Sequence, residues 1–388
     1  MTTTAGAGRV QADSAPGWVG VSSPVRNIDP VLGIVTLALA ALGLVFIYSA
    51  TGRPLEEAGF TPTLYLNRQL FSVGIGIVVM TLVATLNYRL LLAWAPVVYG
   101  ASILLLLAVI LIGATISGST RWIIIGSFQF QPSELAKPAL ILVLAALFHE
   151  RRESGLGLRA LLEAAALASV PMALVIIQPD LGTAMVFVAI TFSVLLLARV
   201  RVRYMVALVA LGTIAIVGAL QLQLIQDYQL QRLTSFLNPE AADVQGELYN
   251  LNQAQIAIGS GQLLGKGLFE GRQTQMAYVP ESHTDFIFTV PAEELGFFGA
   301  SLVLVLYGIL LYRGWRIAAS SRDTFGLLIA GGVVAVIAFQ VFINIGMSLG
   351  LMPVTGLPLP LLSYGGTSVI ATFALIGILQ NIYMRRHA

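Results

Sequence analysis

Asp285 lies in the stretch from Tyr278 to Gly296, which reads Tyr-Val-Pro-Glu-Ser-His-Thr-Asp-Phe-Ile-Phe-Thr-Val-Pro-Ala-Glu-Glu-Leu-Gly. Desolvation favours the protonated form of such a carboxyl and nearby cations favour the charged form; poised between them it can serve as general base toward a hydroxyl. The plainer role is a helix N-cap or a loop ion pair. Glu293 and Glu294 follow closely and are expected to pack or pair within a bundle. Other catalytic signatures are missing. With no cysteine, disulfides and thiolate chemistry are excluded, and three histidines, His149, His283 and His387, make a His-ligated zinc site improbable on numbers alone. No Gly-rich phosphate loop ending in Gly-Lys-Ser/Thr and no Gly-x-Ser-x-Gly elbow occurs.

Three further constellations carry polar chemistry. Arg121-Trp122 precedes the run Gln-Pro-Ser-Glu-Leu-Ala-Lys from Gln131 to Lys137. Pro132 suits a first helical turn, and Glu134 and Lys137, three apart, share a helix face and should touch. They form either a structural ion pair or the wall of a pocket, in which cations would neutralise a phosphate and Trp122 would stack a sugar or anchor at the interface. The run Gln-Pro-Asp-Leu-Gly-Thr from Gln178 to Thr183 makes a hairpin in which Asp180 is an N-cap candidate. Met352 to Pro360 and Ser363 to Thr367 (Ser-Tyr-Gly-Gly-Thr) form a rigid re-entrant or surface loop, which shapes a cavity or merely connects.

The elements that position these residues are membrane helices. Hydrophobic residues make up 57% of the 388 and charged residues 10%, against about 25% charged in soluble domains. Apolar runs, each of a length that can cross a bilayer, are expected at Val31 to Ala50, Leu70 to Leu86, Leu90 to Ile112, Pro132 to Phe148, Ala160 to Ile177, Leu181 to Ala198, Met205 to Leu222, Ala292 to Leu311, Phe325 to Leu349 and Ser368 to Tyr383. The expected fold is all-α, an integral membrane protein with ten transmembrane helices. Residues 1–28 read as a disordered cytoplasmic tail without a removable signal peptide, and 29–388 as one transmembrane domain.

With the N-terminus inside, 14 of the 21 Lys and Arg fall in cytoplasmic segments; the exceptions are Arg53, Arg68, Arg121, Lys137, Arg232, Lys266 and Arg272. The positive-inside rule then places both termini in the cytoplasm. The long connections face outward: Thr51 to Gln69, Gly113 to Gln131, the large loop Gln223 to Pro291 between helices 7 and 8, and Gly350 to Thr367. Asp285 would lie at headgroup height, about 10 Å beyond a span starting at Ala292. Tyr249 to Leu264 suits a helix along the interface. A net charge of +2, spread over short loops, points to no nucleic acid.

These motifs in this order, from about Val31 to Arg386, resemble the SEDS family of shape, elongation, division and sporulation proteins. Met352 to Gly356 and Gln178 to Asp180 look more like its RodA (elongation) branch than its FtsW (division) branch. The resemblance implies a peptidoglycan glycosyltransferase of the bacterial cytoplasmic membrane that polymerises lipid II on the outer face. It implies Asp285 as catalytic base and Glu134 and Lys137 as cavity-lining residues, for donor diphosphate binding or pocket structure; with them Arg121, Trp122, Asp180, Lys266, Ser363 and Tyr364 are the substrate-binding candidates. The implied partners are a class B penicillin-binding protein transpeptidase and the elongation machinery. The resemblance assigns no certain cofactor, and an acid-rich outer face leaves room for a divalent cation. Two competing readings remain on the residues alone. A lipid II flippase would place its charges near the midplane with a cytoplasmic entrance, and a non-catalytic scaffold would tolerate loss of Asp285.

Overall fold

The computed structural model describes residues 27–116, 119–126, 128–151, 157–221 and 247–386. Most of the expected N-terminal tail, the first part of the large loop, and Arg9, Arg26, Arg152, Arg232 and His387 lie outside the described residues. In chain order the elements are α1 (Pro30–Glu57), α2 (Leu64–Thr85), α3 (Tyr88–Ile112), β1 (Ala114–Ile116), β2 (Ser119–Ile125), β3 (Phe128–Phe130), α4 (Pro132–Glu150), α5 (Leu158–Ile177), α6 (Leu181–Leu197) and α7 (Val202–Gln221). There follow α8 (Glu247–Gly261), α9 (Arg272–Gln275), α10 (Thr289–Glu294), α11 (Gly296–Ala319), α12 (Thr324–Ser348) and α13 (Gly366–Met384).

Within the described residues each expected apolar run is helical, save that the one from Ala292 is split in two. Eight of them are long and apolar enough to cross a membrane by length and composition, whereas α6, with 17 residues, and the apolar part of α7 at Val202–Ile214 are shorter. Polar side chains mark the starts: Asp29, Asn87, Asp180 and Asp323 cap α1, α3, α6 and α12 by accepting from backbone N–H groups, and Pro30 and Pro132 occupy first turns that leave no donor to satisfy.

Two expectations are corrected. The chain is not wholly helical, because β1, β2 and β3 form a small antiparallel sheet in the order β1-β2-β3, with Ala114 opposite Trp122 and Ile123 opposite Phe130. The cause is local: Thr120, Trp122 and the isoleucines at 123 to 125 are strand formers. The span expected from Ala292 instead starts at Gly296, where a φ of +65° interrupts the helix. Glu293 and Glu294 therefore end the separate short helix α10 and precede the span. The helix expected at Tyr249 to Leu264 is present as α8, which packs against α10.

The centre of the bundle is α4 and α13, most of whose residues are buried. Around them, α2 packs along α13 and α3 along α4, while both turn apolar side chains such as Phe71, Val78, Leu104 and Leu111 outward. Amides inside the spans act as braces. The Gln380 side chain donates to the Asp29 carbonyl at 2.7 Å and accepts from the Asp29 N–H at 3.0 Å, tying the start of α1 to α13.

Candidate active site

Three consecutive residues of the Asp285 segment are held by their backbone carbonyls. The His283 carbonyl accepts from the Tyr364 N–H at 2.8 Å, the Thr284 carbonyl from the Ser363 hydroxyl at 2.6 Å, and the Asp285 carbonyl from the Asn344 amide at 2.7 Å. The Asn344 amide also donates to the Leu357 carbonyl at 2.8 Å. Ser363 Oγ in turn accepts from the Leu359 N–H at 2.8 Å. From α2, Gln69 donates to the Ser363 carbonyl at 3.1 Å and accepts from the Gly365 N–H at 3.2 Å. The loop before α13 is thus a clamp between α2 and α12. It fixes the Asp285 backbone while the half-buried carboxylate extends toward Gly356, where an added Cβ would stand 3.4 Å from Oδ2.

Aromatic rings line the same region. Tyr65 lies 4.9 Å from both His283 and Tyr364, centroid to centroid, and His283 and Tyr364 are 5.7 Å apart. Burial pushes the His283 imidazole below its ordinary pKa, with Glu281 opposing the shift. Burial likewise raises the Tyr364 hydroxyl, opposed by a hydrogen bond with the Arg68 guanidinium. Arg68 is exposed and has no carboxylate partner among the described residues.

A second group meets this loop from the other side. Asp180 caps α6 by accepting from the Thr183 N–H at 3.1 Å and hydroxyl at 2.8 Å, and its Oδ1 stands 3.6 Å from Arg121 Nη1. The Arg121 guanidinium also donates to the Pro179 carbonyl, and the Gln131 amide lies 3.5 Å from Asp180 Oδ2. Trp122 follows Arg121 on β2 and is half-buried. Gly182 brings this turn against the Thr355 carbonyl and the Leu357 side chain, on either side of Gly356. One turn into α4, Lys137 donates to Glu134 at 2.6 Å, with both side chains almost wholly buried.

Lys266 belongs to a different bracket. It pairs with Glu293 at 3.6 Å, and Glu293 also accepts from the Gln273 N–H at 2.9 Å, the Thr274 N–H at 3.0 Å and the Thr274 hydroxyl at 2.7 Å. Glu294 accepts from the Ser49 hydroxyl of α1. Glu293 pairs, as expected, and binds the 265–275 segment to α10, whereas Glu294 ties α10 to α1.

The structure therefore ties Ser363 and Tyr364 to Thr284 and His283, the two residues before Asp285, and brings Asp180 and Arg121 to the same loop. Sequence reasoning passed over Asn344, Gln69, Tyr65 and Arg68. For Asn344 the signal was available, since an amide in an apolar span, like Gln340 one turn before it, faces the interior. Among the described residues no three His, Asp or Glu side chains gather as a wholly protein-held metal site would require.

The family model FTSW/RODA/SPOVE, described as cell cycle protein, matches residues 30–388. The chain belongs to this family. Within the FtsW/RodA/SpoVE family it is 40% identical over 360 residues to peptidoglycan glycosyltransferase MrdB of Escherichia coli K12, covering 93% of this chain and 94% of the relative. It is 37% identical over 357 residues to stage V sporulation protein E of Bacillus subtilis, covering 91% and 96%. A probable peptidoglycan glycosyltransferase FtsW of Trichlorobacter lovleyi is 35% identical over 361 residues, with 92% and 93% covered. Among solved structures, a chain of a peptidoglycan synthase complex that coordinates polymerization and crosslinking matches with TM-score 0.78 and 33% identity, over 93% of this chain and 98% of that one. Thermus thermophilus RodA matches with TM-score 0.68 and 33% identity over 93% and 98%. This is a multi-pass membrane protein with the fold of RodA.

Proposed function

We propose that this protein polymerises lipid II into glycan strands at the outer face of the bacterial cytoplasmic membrane, with Asp285 as general base. The observation that carries the reading is the pinning of His283, Thr284 and Asp285 by three separate hydrogen bonds, which leaves one half-buried carboxylate positioned at a fixed backbone. Preorganisation of this kind is what a base needs in order to meet a hydroxyl at a defined angle. Asp285 takes the proton of the acceptor sugar's hydroxyl, the oxygen bonds to the donor's anomeric carbon, and the bond from that carbon to the diphosphate oxygen breaks. Undecaprenyl pyrophosphate leaves with the electron pair.

The departing diphosphate needs positive charge. Lys137 is already neutralised by Glu134 and Arg121 by Asp180, so these pairs hold the pocket wall in shape, and exposed Arg68 beside Tyr364 is the better diphosphate partner. Trp122 and Tyr364 complete the surface offered to the substrate, buried Ser363 instead fixes the Thr284 carbonyl beneath it, and Lys266 secures the loop at its edge. All ten apolar helices cross the bilayer, α6 and α7 included, with both termini cytoplasmic; the skew of Lys and Arg supports this orientation. The role is cell elongation, supported by the higher identity to MrdB than to the FtsW relative. The likeness to a synthase-complex chain supports a transpeptidase partner of the class B penicillin-binding type.

The test is glycan polymerisation from lipid II by the purified protein with its cognate transpeptidase partner, wild type against a folded Asp285→Ala variant. Polymer from the wild type alone supports the assignment. Equal polymer from both ends it, and polymer from neither, with partner binding intact, turns the reading toward a flippase or scaffold.

A further inference from the structure

The end of the bundle remote from Asp285 carries a cavity the reaction does not use. Helix α11 runs 24 residues away from Gly296, about 36 Å at 1.5 Å per residue, and ends beside the C-terminus of α13. There a cavity of about 300 Å³ is lined by Asp29, Arg313, Arg316, Ile317, Tyr383 and Arg386, among others. Arg313 Nε donates to Asp29 Oδ2 at 2.9 Å, while Asp29 Oδ1 accepts the α1 capping bond from the Leu32 N–H at 3.1 Å. The single carboxylate of the cavity is therefore committed to both the cap and Arg313. Arg386 stacks its guanidinium 3.6 Å above the Tyr383 ring. Arg316 is exposed and has no ion-pair partner among the described residues.

Arg313, Arg316 and Arg386 line the cavity beside one buried carboxylate, and with Asp29 committed to Arg313 the charge of Arg316 is left facing the space. Cations at helix C-termini are favourable in themselves. That effect does not explain why two helices and the start of a third converge them around a space. We infer that this cavity binds the phosphate of an anionic glycerophospholipid in the leaflet remote from Asp285. Guanidinium groups match phosphate oxygens in geometry and charge, and basic pockets between membrane helices are suited to anionic headgroups.

The neighbouring surface selects a lipid over a free anion. Leu302, Val305, Ile309, Tyr312 and Arg316 recur at spacings of three and four and form one face of α11. Leu302, Val305 and Tyr312 are exposed, as are Ile34 and Leu37 on α1, the helix packed beside α11. A phosphate held at Arg316 and Arg386 thus stands at the foot of an apolar surface along which acyl chains would extend.

The experiment uses the full-length protein, delipidated in detergent, with thermal denaturation and native mass spectrometry after adding phosphatidylglycerol, phosphatidylcholine or inorganic phosphate. Phosphatidylglycerol is expected to raise Tm and remain as a bound adduct, and phosphatidylcholine to do neither. In an Arg316→Gln/Arg386→Gln variant with lipid-free Tm unchanged, apparent affinity for phosphatidylglycerol should fall about tenfold or more, the scale of one lost charge-assisted contact. An Arg316→Lys/Arg386→Lys variant should keep most of it. Arg313 is left intact because it holds Asp29. Equal effects of the two lipids overturn the proposal, as does undiminished phosphatidylglycerol binding by the glutamine variant. Stabilisation by inorganic phosphate equal to that by phosphatidylglycerol overturns the lipid assignment in favour of a simple anion site.

Discussion

The side-chain amide of Asn344 bridges two carbonyls, that of Asp285 at 2.7 Å and that of Leu357 at 2.8 Å, from a wholly buried position in the last turns of α12. A residue some sixty positions along the chain thereby sets where the aspartate's backbone lies. Replacing it with leucine strands both carbonyls, at about 1–3 kcal/mol for each buried unsatisfied group. Asn344→Leu should lower Tm and reduce the rate of lipid II polymerisation more than it raises KM. A variant destabilised to that degree but polymerising at the wild-type rate would show that the brace does not position the base.

Glu134 and Lys137 form a buried pair 2.6 Å apart. Breaking such a pair on one side leaves an uncompensated charge and costs about 3–5 kcal/mol, whereas replacing both with apolar groups is often near neutral. Lys137→Met should therefore be severely destabilised, and Glu134→Leu/Lys137→Met largely restored in Tm. Polymerisation that recovers with stability marks the pair as structural. Inactivity in a stable double variant would show that one of the charges meets the substrate.

Gly356 has a φ of +68° and faces Asp285 Oδ2, from which an added Cβ would stand 3.4 Å away, an ordinary van der Waals distance. Alanine there meets no steric wall but must adopt a left-handed backbone, at about 1–2 kcal/mol. Gly356→Ala should fold with a modestly lower Tm. If the loop turns to relieve the strain, polymerisation falls by more than the stability loss explains, which a rate assay at a temperature well below Tm will reveal.

The His283 imidazole is held below its ordinary pKa chiefly by burial. The unfolded chain then binds the proton more readily than the folded one, so its neutral form contributes stability that is present above the ordinary value of about 6.5 and is lost as pH falls through it toward the lower folded value. Denaturation midpoints measured from about pH 8 down to about pH 5 should drop more steeply for the wild type than for His283→Phe. Parallel curves would mean that His283 takes up its proton alike in the folded and the unfolded chain, so that burial does not hold it neutral.

How much of this was legible depended on range along the chain. The helices were readable because each apolar run satisfies its own backbone locally, and Asp180 declared itself as a cap through Thr183 three residues on. The Glu134 and Lys137 contact followed from helical spacing alone. The clamp on Asp285 was not readable, since Asn344, Ser363, Tyr364 and Gln69 reach it from distant segments and no periodicity encodes those pairings. The strand at Ser119–Ile125 was missed in a different way: its strand-forming composition was visible, but an apolar membrane background masked it. Gly296 delays the start of the span expected from Ala292 because one positive φ outweighs a run of helix-forming neighbours.

The segment between α8 and α11 closes on itself: the Lys266 and Gly267 N–H groups donate to the Glu293 and Glu294 carbonyls at 3.1 and 3.0 Å, and the Phe297 N–H to the Gln262 carbonyl at 2.8 Å. Those contacts need nothing that comes later in the chain. The Asp285 carbonyl, by contrast, waits for α12, and those of His283 and Thr284 wait for the loop that precedes α13. In the order of synthesis, the frame around the aspartate is built early and its final fastening arrives with the last helices. A chain interrupted before Thr324 would carry the aspartate without the groups that hold its backbone, so a truncated product is expected to polymerise nothing if Asp285 is the base.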